Sequence, residues 1–374
     1  MKKLYPTLFL SAFFLFAQAQ NSVKRVLIEE FTGNWCGYCT DGAAVVNQIL
    51  AAHPGGDVIA VSVHDADGME FNDGLRTAFS VTSYPSALID RTMWSGQTTV
   101  WTNRSLWAAE VSSRLADPSP VTVDVTNIAF NASTRKITAT VTAHFTDDAT
   151  ANASFRMSME VIEDSVQGTG STFNQTNYYN VPTSSPYYGP NPIVNYMHRH
   201  VLRGRVPSAF GMNGIIPSSV TAGSDYSYNV TYTLPYVVGG DSVNLNRIHL
   251  VGIVSNYGTN NDQKQVVNVS EEKSLFGAAS GIAGAEIKPV MILYPNPATG
   301  GSFELNLTSV KSVSGKIVVR DMLGRQVIIA SENFAVNNES KILTIPTAEI
   351  ASGLYAVSYE TENGVITSTL MIQH

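Results

Sequence analysis

The chain has almost no cysteine: two in 374 residues, Cys36 and Cys39. That scarcity excludes a disulfide framework for most of the chain, whose later units must hold by their own apolar cores. It also argues against a structural zinc site, which takes about four ligands, because no second cysteine pair and no nearby His-x-x-x-His completes one. Charge is scarce too. Only 14% of residues are charged and the net charge is −7. Phosphate binding needs a basic face, so nucleic acid is excluded as a partner. Beyond the first twenty residues no apolar run approaches the ~18 residues of a spanning helix, and no membrane span is expected.

What is present begins with an address. Lys2 and Lys3 precede an apolar stretch over 8–16, and Ala17-Gln18-Ala19 forms a small-x-small cleavage site. Residues 1–19 therefore read as a signal peptide, with the mature chain starting at Gln20. Disulfides persist in the compartments such a leader opens onto. The remaining length suits two to four domains.

The two cysteines stand as Trp35-Cys36-Gly37-Tyr38-Cys39, after the apolar run Val26-Leu27-Ile28 and before apolar positions at helical spacing over 40–50. The motif thus sits where a strand hands over to a helix. There the unpaired N–H groups and positive end of the helix stabilise a thiolate on the first cysteine, and the second lies close enough to close or resolve a disulfide. A structural staple closing so short a loop restrains little of the unfolded chain. A redox motif without catalytic use stays open as an alternative. Downstream, Tyr84-Pro85 precedes the apolar Ala87-Leu88-Ile89, placing a proline at the start of another strand.

In these features residues 24–117 resemble the thioredoxin-like family, whose pattern is strand, W-C-x-x-C, helix, strand, helix and a cis-proline loop facing the cysteines. The resemblance implies Cys36 as nucleophile, Cys39 as resolving thiol, Pro85 as the cis-proline and Trp35 as the flanking indole. Glu30 falls where many members carry a buried acid that relays the proton of the second cysteine. Glu departs there from the commoner Asp, and a solvated strand-end carboxylate is the other reading. No metal and no organic cofactor is implied.

Within this unit, expected to span 20–117, residues 57–64 read as a buried strand, Asp65-Ala66-Asp67-Gly68 as a solvated turn, 72–79 as a short helix and 103–115 as a covering helix. Trp94 and Trp101 read as packing residues, with the rim of a substrate groove as the alternative.

Pro118-Ser119-Pro120 ends the helical pattern, and threonine and valine alternation follows. Seven segments, 121–130, 136–145, 155–162, 198–205, 226–234, 249–255 and 265–269, predict an antiparallel immunoglobulin-like β-sandwich over 118–272. A long insertion at 174–195 is rich in tyrosine, including Tyr178-Tyr179 and Tyr187-Tyr188, a composition useful in binding loops. His198 and His200 then share one face of a strand. They can ligate a metal, but no third ligand is identifiable and no metal is expected. The leader, the W-C-x-Y-C unit and the His-x-His-Val-Leu-Arg stretch together are similar to the outer membrane protein 28-related family over residues 24–270. That likeness implies an exported, envelope-associated protein.

Residues 273–290, rich in Gly, Ala and Ser, read as a flexible linker. The stretch 291–374 opens with Tyr294-Pro295-Asn296-Pro297 and continues with Asp321-x-x-Gly324-Arg325 and Gly353-Leu354-Tyr355. It resembles the C-terminal sorting domain of type IX secretion substrates, a small β-sandwich. Gln373-His374 stands where the family usually ends in a basic residue. The resemblance implies the type IX translocon as a partner through 291–374, removal of that module, and then secretion or a tether to surface lipopolysaccharide. Asp-Ser-Val, at Asp164 and Asp241, is similar to an O-glycosylation acceptor.

The expected protein is thus multidomain, α/β plus all-β. Its expected function is thiol–disulfide exchange on a protein substrate at the cell surface, and the alternative is a non-enzymatic surface binding protein in which the thioredoxin-like unit is scaffold.

Overall fold

A strand that is apolar on both sides must be covered on both, and β1 (Val26–Thr32) is buried along its whole length. The computed structural model describes residues 22–275, other than 132, 169 and 182–187, and residues 290–374, other than 309–312, 323, 337–339 and 362–363. The expected leader over 1–19, most of the expected linker at 273–290, and Tyr187 lie outside the described residues.

β1 is followed by α1 (Cys39–Ala52), β2 (Val58–His64), α2 (Leu75–Ala78), β3 (Ser86–Ile89), β4 (Thr102–Asn103) and α3 (Trp107–Leu115). β2 runs parallel to β1, whereas β3 and β4 are antiparallel neighbours on the other side. One face of these strands packs Val26, Ile28, Ala60 and Ile89 against Val46 of α1 and Trp107 of α3. The opposite face packs Leu27, Phe31, Ile59 and Leu88 with Leu75 of α2. The last helix starts at Trp107, later than the spacing predicts, because Thr102 and Asn103 are drawn into β4 beside Ala87 and Ser86.

Past residue 118, β5 (Val121–Asn131), β6 (Lys136–Phe145), β7 (Ala149–Thr150), β8 (Ser154–Glu163), β9 (Val201–Val206), β10 (Ser219–Val220), β11 (Asp225–Thr233), β12 (Val237–Val238), β13 (Asp241–Ser242), β14 (Ile248–Tyr257) and β15 (Val266–Glu272) follow. The predicted strands correspond to β5, β6, β8, β9, β11, β14 and β15, with β9 beginning at Val201 and not at His198. β11, β6 and β5 form one sheet, and their alternating burial marks a face packed on Val161, Met159 and Leu250.

The other strands depart from expectation. They do not make a second sheet of their own. Ser62 of β2 pairs in parallel with Val201 of β9, so β9, β8, β14 and β15 extend the α/β unit into one eight-stranded sheet ordered β15-β14-β8-β9-β2-β1-β3-β4. The free-standing immunoglobulin-like sandwich expected over 118–272 is therefore corrected: one of its two layers is shared with the N-terminal unit. A buried ionic cluster sits where the two halves join. Arg91 donates to both Glu29 oxygens at 2.7 Å, and Arg205 reaches Glu29 at 2.8 Å, Glu160 at 2.6 Å and Asp73 at 2.5 Å.

The C-terminal module holds β16 (Val290–Tyr294), β17 (Ser302–Thr308), β18 (Val313–Asp321), β19 (Gln326–Val336), β20 (Ser340–Pro346), β21 (Gly353–Thr361) and β22 (Gly364–Ile372). Two sheets, β16-β17-β20 and β19-β18-β21-β22, enclose Phe303, Leu305, Ile317, Val357 and Leu370. Asp321 closes its turn by accepting from the Arg325 backbone N–H at 2.9 Å and Nε at 2.7 Å, and Gly324 takes φ +82° there. The terminal His374 bonds Ser352 Oγ and the Ile350 carbonyl, at 3.0 and 2.8 Å.

Candidate functional site

Cys36 and Cys39 are joined as a disulfide, S–S 2.08 Å and Cα–Cα 5.3 Å. The helix begins at Cys39, with Tyr38 as its N-cap, so Cys36 stands in the turn just before it. That turn is held by the Cys36 N–H on the Gly33 carbonyl at 3.0 Å and the Cys39 N–H on the Cys36 carbonyl at 3.1 Å.

Trp35 flanks the pair and is 42% exposed. Its Nε1 donates to the Asp65 carbonyl at 2.7 Å, and its ring meets Tyr84 edge to face at 5.1 Å. Tyr84 in turn donates to Asp65 Oδ2 at 2.9 Å, and its phenol is pushed above the ordinary range by burial and by that carboxylate. The Asp65–Gly68 stretch is therefore not the solvated turn expected. Asp67 faces inward, accepting from the Asn34 and Met69 N–H groups at 2.8 Å each and lying 2.7 Å from His64 Nδ1. Burial alone would raise its carboxyl, but the His64 charge and these bonds hold it below the ordinary value.

Pro85, buried and cis to Tyr84, lies beside α1. A Cβ on Gly42 of that helix would stand 2.7 Å from Pro85 Cβ and 2.7 Å from Glu30 Oε1. Glycine here brings helix, proline and carboxyl together. Glu30 is 3% exposed, so the solvated reading of this residue is overturned. Burial pushes its carboxyl up to about 8, a Ser62 hydrogen bond pulls the other way, and Oε1 has no hydrogen-bond partner.

The largest feature the sequence did not disclose is a strap. Thr176 N–H bonds the Asn34 carbonyl at 2.7 Å, Tyr178 N–H the Gly37 carbonyl at 3.0 Å, and Gln175 Nε2 the Cys36 carbonyl at 2.9 Å. Asn34 Nδ2 answers by donating to the Ser171 carbonyl at 2.7 Å. The Tyr38 ring meets those of Tyr178 and Tyr179 at 5.0 and 6.2 Å. Arg104 joins Asp41 at 2.5 Å and reaches the Tyr179 hydroxyl at 3.4 Å. The tyrosine-rich insertion thus lies on the cysteine turn, and Cys36 is 5% exposed. Tyrosine richness was legible as a sign of binding, but its target was not.

Beneath the strap a cavity of about 40 Å³ is lined by Cys39, Glu30, Ser62, His64, His198 and His200. His198 Nε2 lies 2.8 Å from the Phe173 carbonyl, and burial together with the His64 charge lowers its imidazole to about 4. His200 is also lowered by burial, and its Nε2 has no partner. Among the described residues no group of three or more His, Cys, Asp or Glu is arranged to hold a metal ion. Trp101 Nε1 donates to the Ser80 carbonyl at 3.2 Å, and both Trp101 and Trp94 pack against apolar cores. Asp164 is occupied by Arg199 Nε at 2.7 Å and the His200 N–H at 3.2 Å; burial opposes, but these hold it near 2. No helix among the described residues is long and apolar enough to cross a membrane.

Comparison with known proteins adds the following. The family model described as outer membrane protein Omp28 matches residues 72–274, a stretch that starts after the cysteine motif. The model described as a secretion system C-terminal sorting domain matches residues 292–373. No curated protein matches the chain. The structure of HBP35 of Porphyromonas gingivalis is similar in fold, with TM-score 0.55 and 15% identity over 94% of this chain and 99% of that one. A Salmonella alpha-2-macroglobulin mutant matches 68% of this chain and 17% of its own at 11% identity, but its TM-score of 0.21 carries no argument.

Proposed function

Because the chain belongs to the outer membrane protein Omp28 family and ends in a secretion sorting domain that engages the type IX machinery, it acts at the cell surface or outer membrane, and we propose that it carries out thiol–disulfide exchange there. The reading takes residues 20–117 as a thioredoxin-like unit, with Cys36 and Cys39 as the reacting pair and Trp35, Glu30 and Pro85 around them. The supporting observation is the Cys36–Cys39 disulfide at a strand-to-helix turn, with a buried carboxyl and Pro85 packed on the same helix.

In the reaction a substrate thiolate attacks Cys36 Sγ. The bond to Cys39 breaks, and Cys39 leaves with the electron pair and takes up a proton. A second substrate thiol then displaces Cys36, so the substrate dithiol becomes a disulfide and the pair two thiols. The reverse sequence reduces a substrate disulfide. Removal of residues 291–374 and a lipopolysaccharide tether follow from the sorting-domain likeness alone.

A second reading, a surface binding protein in which this unit is scaffold, is favoured by the burial of Cys36 beneath the strap. Thiol trapping across a series of dithiothreitol redox buffers, with insulin as substrate, separates the two. The expected result is a two-electron transition at Cys36 and Cys39, with turnover that Cys36→Ser abolishes. A reduced Cys36 inert to iodoacetamide at neutral pH, with no turnover, leaves the scaffold.

A further inference from the structure

A thiol leaving or re-entering a disulfide beneath a covered turn must exchange its proton with something. The cavity next to Cys39 is lined by groups able to carry one. Glu30 of β1 and Ser62 of β2 are cross-strand partners, and the Ser62 N–H bonds the His200 carbonyl at 2.7 Å where β9 joins the sheet. Two adjacent strands and the residue just before β9 thus bring Glu30, Ser62 and His200 to one cavity, which they share with Cys39. Two buried polar atoms of residues lining that cavity, Glu30 Oε1 and His200 Nε2, lack a hydrogen-bond partner. Its volume of about 40 Å³ is large enough to accommodate water. On its other side His200 Nδ1 stands 3.7 Å from Asp164, whose side chain is 17% exposed and paired with Arg199, itself 44% exposed. Cys39, Glu30 and His200 thus line one cavity, and His200 pairs beyond it with a part-exposed carboxylate.

We propose that His200, contributed by the β half of the molecule, is the proton exit of the Cys39–Glu30 site, working through water in this cavity. The proposal rests on the thiol–disulfide reading. When an incoming thiolate bonds Cys36 and expels Cys39, the Glu30 carboxyl gives its proton to the Cys39 sulfur, and the carboxylate is re-protonated from solvent by way of His200. On oxidation the same proton travels outward. Glu30 is faced by Ser62 and His64 from β2, by Cys39 and Asn47 from α1, by Gln175 from the strap and by His198 beside His200. The charges around His200 are those of Asp164, Arg199, Glu271 and His249. This assigns the His-x-His stretch a role that needs no metal, and it explains why an imidazole is kept where burial disfavours its charge.

His200 has φ +55°, a backbone conformation that glycine adopts without strain, so His200→Gly removes the imidazole while suiting the turn. The full-length protein is reduced by dithiothreitol in stopped flow, read by Trp35 fluorescence, at thiol concentrations where the rate has reached its plateau. The plateau is expected to fall by about a hundredfold in His200→Gly, the lower edge of what a proton-transfer group contributes, and to recover with added imidazole. A plateau and pH profile unchanged from the parent overturn the proposal, as does a loss that imidazole leaves unrepaired. If the parent pair does not cycle with thiols, the oxidoreductase reading fails separately, and the carboxyl ¹³C titration of Glu30 then decides. A midpoint moved by His200→Gly supports the shared cavity, and an unmoved one ends the idea.

Discussion

The Tyr178 ring occupies the space into which a Cβ on Gly37 would project. The first of the two residues between the cysteines is therefore glycine because a distant tyrosine lies on it. Tyr178 is itself 54% exposed, held by one backbone bond and by its edge contact with Tyr38. An edge-to-face aromatic pair contributes about 0.5–1.5 kcal/mol. Truncating it in Tyr178→Ala should raise the iodoacetamide reaction rate of reduced Cys36 by about threefold to tenfold, where 1.4 kcal/mol is tenfold. Gly37→Ala should destabilise the folded chain by about 1–3 kcal/mol through overpacking, and much less in a Tyr178→Ala background. Alkylation followed by mass spectrometry and a urea double-mutant cycle read these out; equal rates and additive losses would rule out the strap as a cover.

Glu30 makes a separate prediction about pH. Its folded carboxyl is raised from 4.5 to about 8 by burial, so the folded state holds a proton that the unfolded state releases. The contribution is present in full below about pH 4.5 and is lost as pH rises toward 8. The loss is on the order of 5 kcal/mol across that window, at 1.36 kcal/mol per unit. Glu30→Gln should flatten the slope of unfolding free energy against pH between 5 and 8 by about 1.4 kcal/mol per unit. Urea titrations at several pH values measure it, and parallel slopes for parent and variant would contradict the burial.

The ionic cluster predicts how the two halves unfold. Arg205 reaches Glu29, Glu160 and Asp73 with its side chain only 1% exposed. Arg205→Met leaves buried carboxylates short of a partner, a change that costs about 3–5 kcal/mol. Because β9 carries Arg205 and lies next to β2 in the sheet, this loss should appear in one transition shared by both halves. Two resolved transitions in the parent protein would mean that the shared sheet is not a cooperative unit.

Export and redox chemistry should separate cleanly. The sorting module has its own core, built from Phe303, Leu305, Ile317, Val357 and Leu370. Deleting residues 292–373 should retain the protein inside the outer membrane, seen by surface labelling and cell fractionation, and leave the Cys36–Cys39 midpoint potential where it was. Normal surface display of the deleted chain would count against the sorting role.

What was legible beforehand follows one rule: features set by residues close in sequence could be read. The cysteine spacing that allows a disulfide, the apolar run of β1, the threonine and valine alternation of β5 and β6, and the Asp321-to-Arg325 turn all belong to this class. Glu30 was legible as a position, but the choice between its buried and solvated readings was not, because the groups that enclose it come from α1, β2 and the segment before β9. Asp67 was misread for the same reason: its partners include Asn34 and His64, and nothing in the tetrapeptide itself tells an inward carboxylate from a solvated one.

By itself, then, the amino-acid order determined where most of the longer strands and the first helix lie, which two residues can form a disulfide, and how the chain is addressed, since local periodicity and spacing are enough for these. Only the tertiary structure decided that β9 docks beside β2, that Tyr178 covers Gly37, that Arg205 meets Glu29, and that His200 shares a cavity with Cys39. Such pairings join residues far apart along the chain. Their choice depends on which sheet edge is free and which buried charge is left unmatched, quantities that exist only once the whole fold has formed.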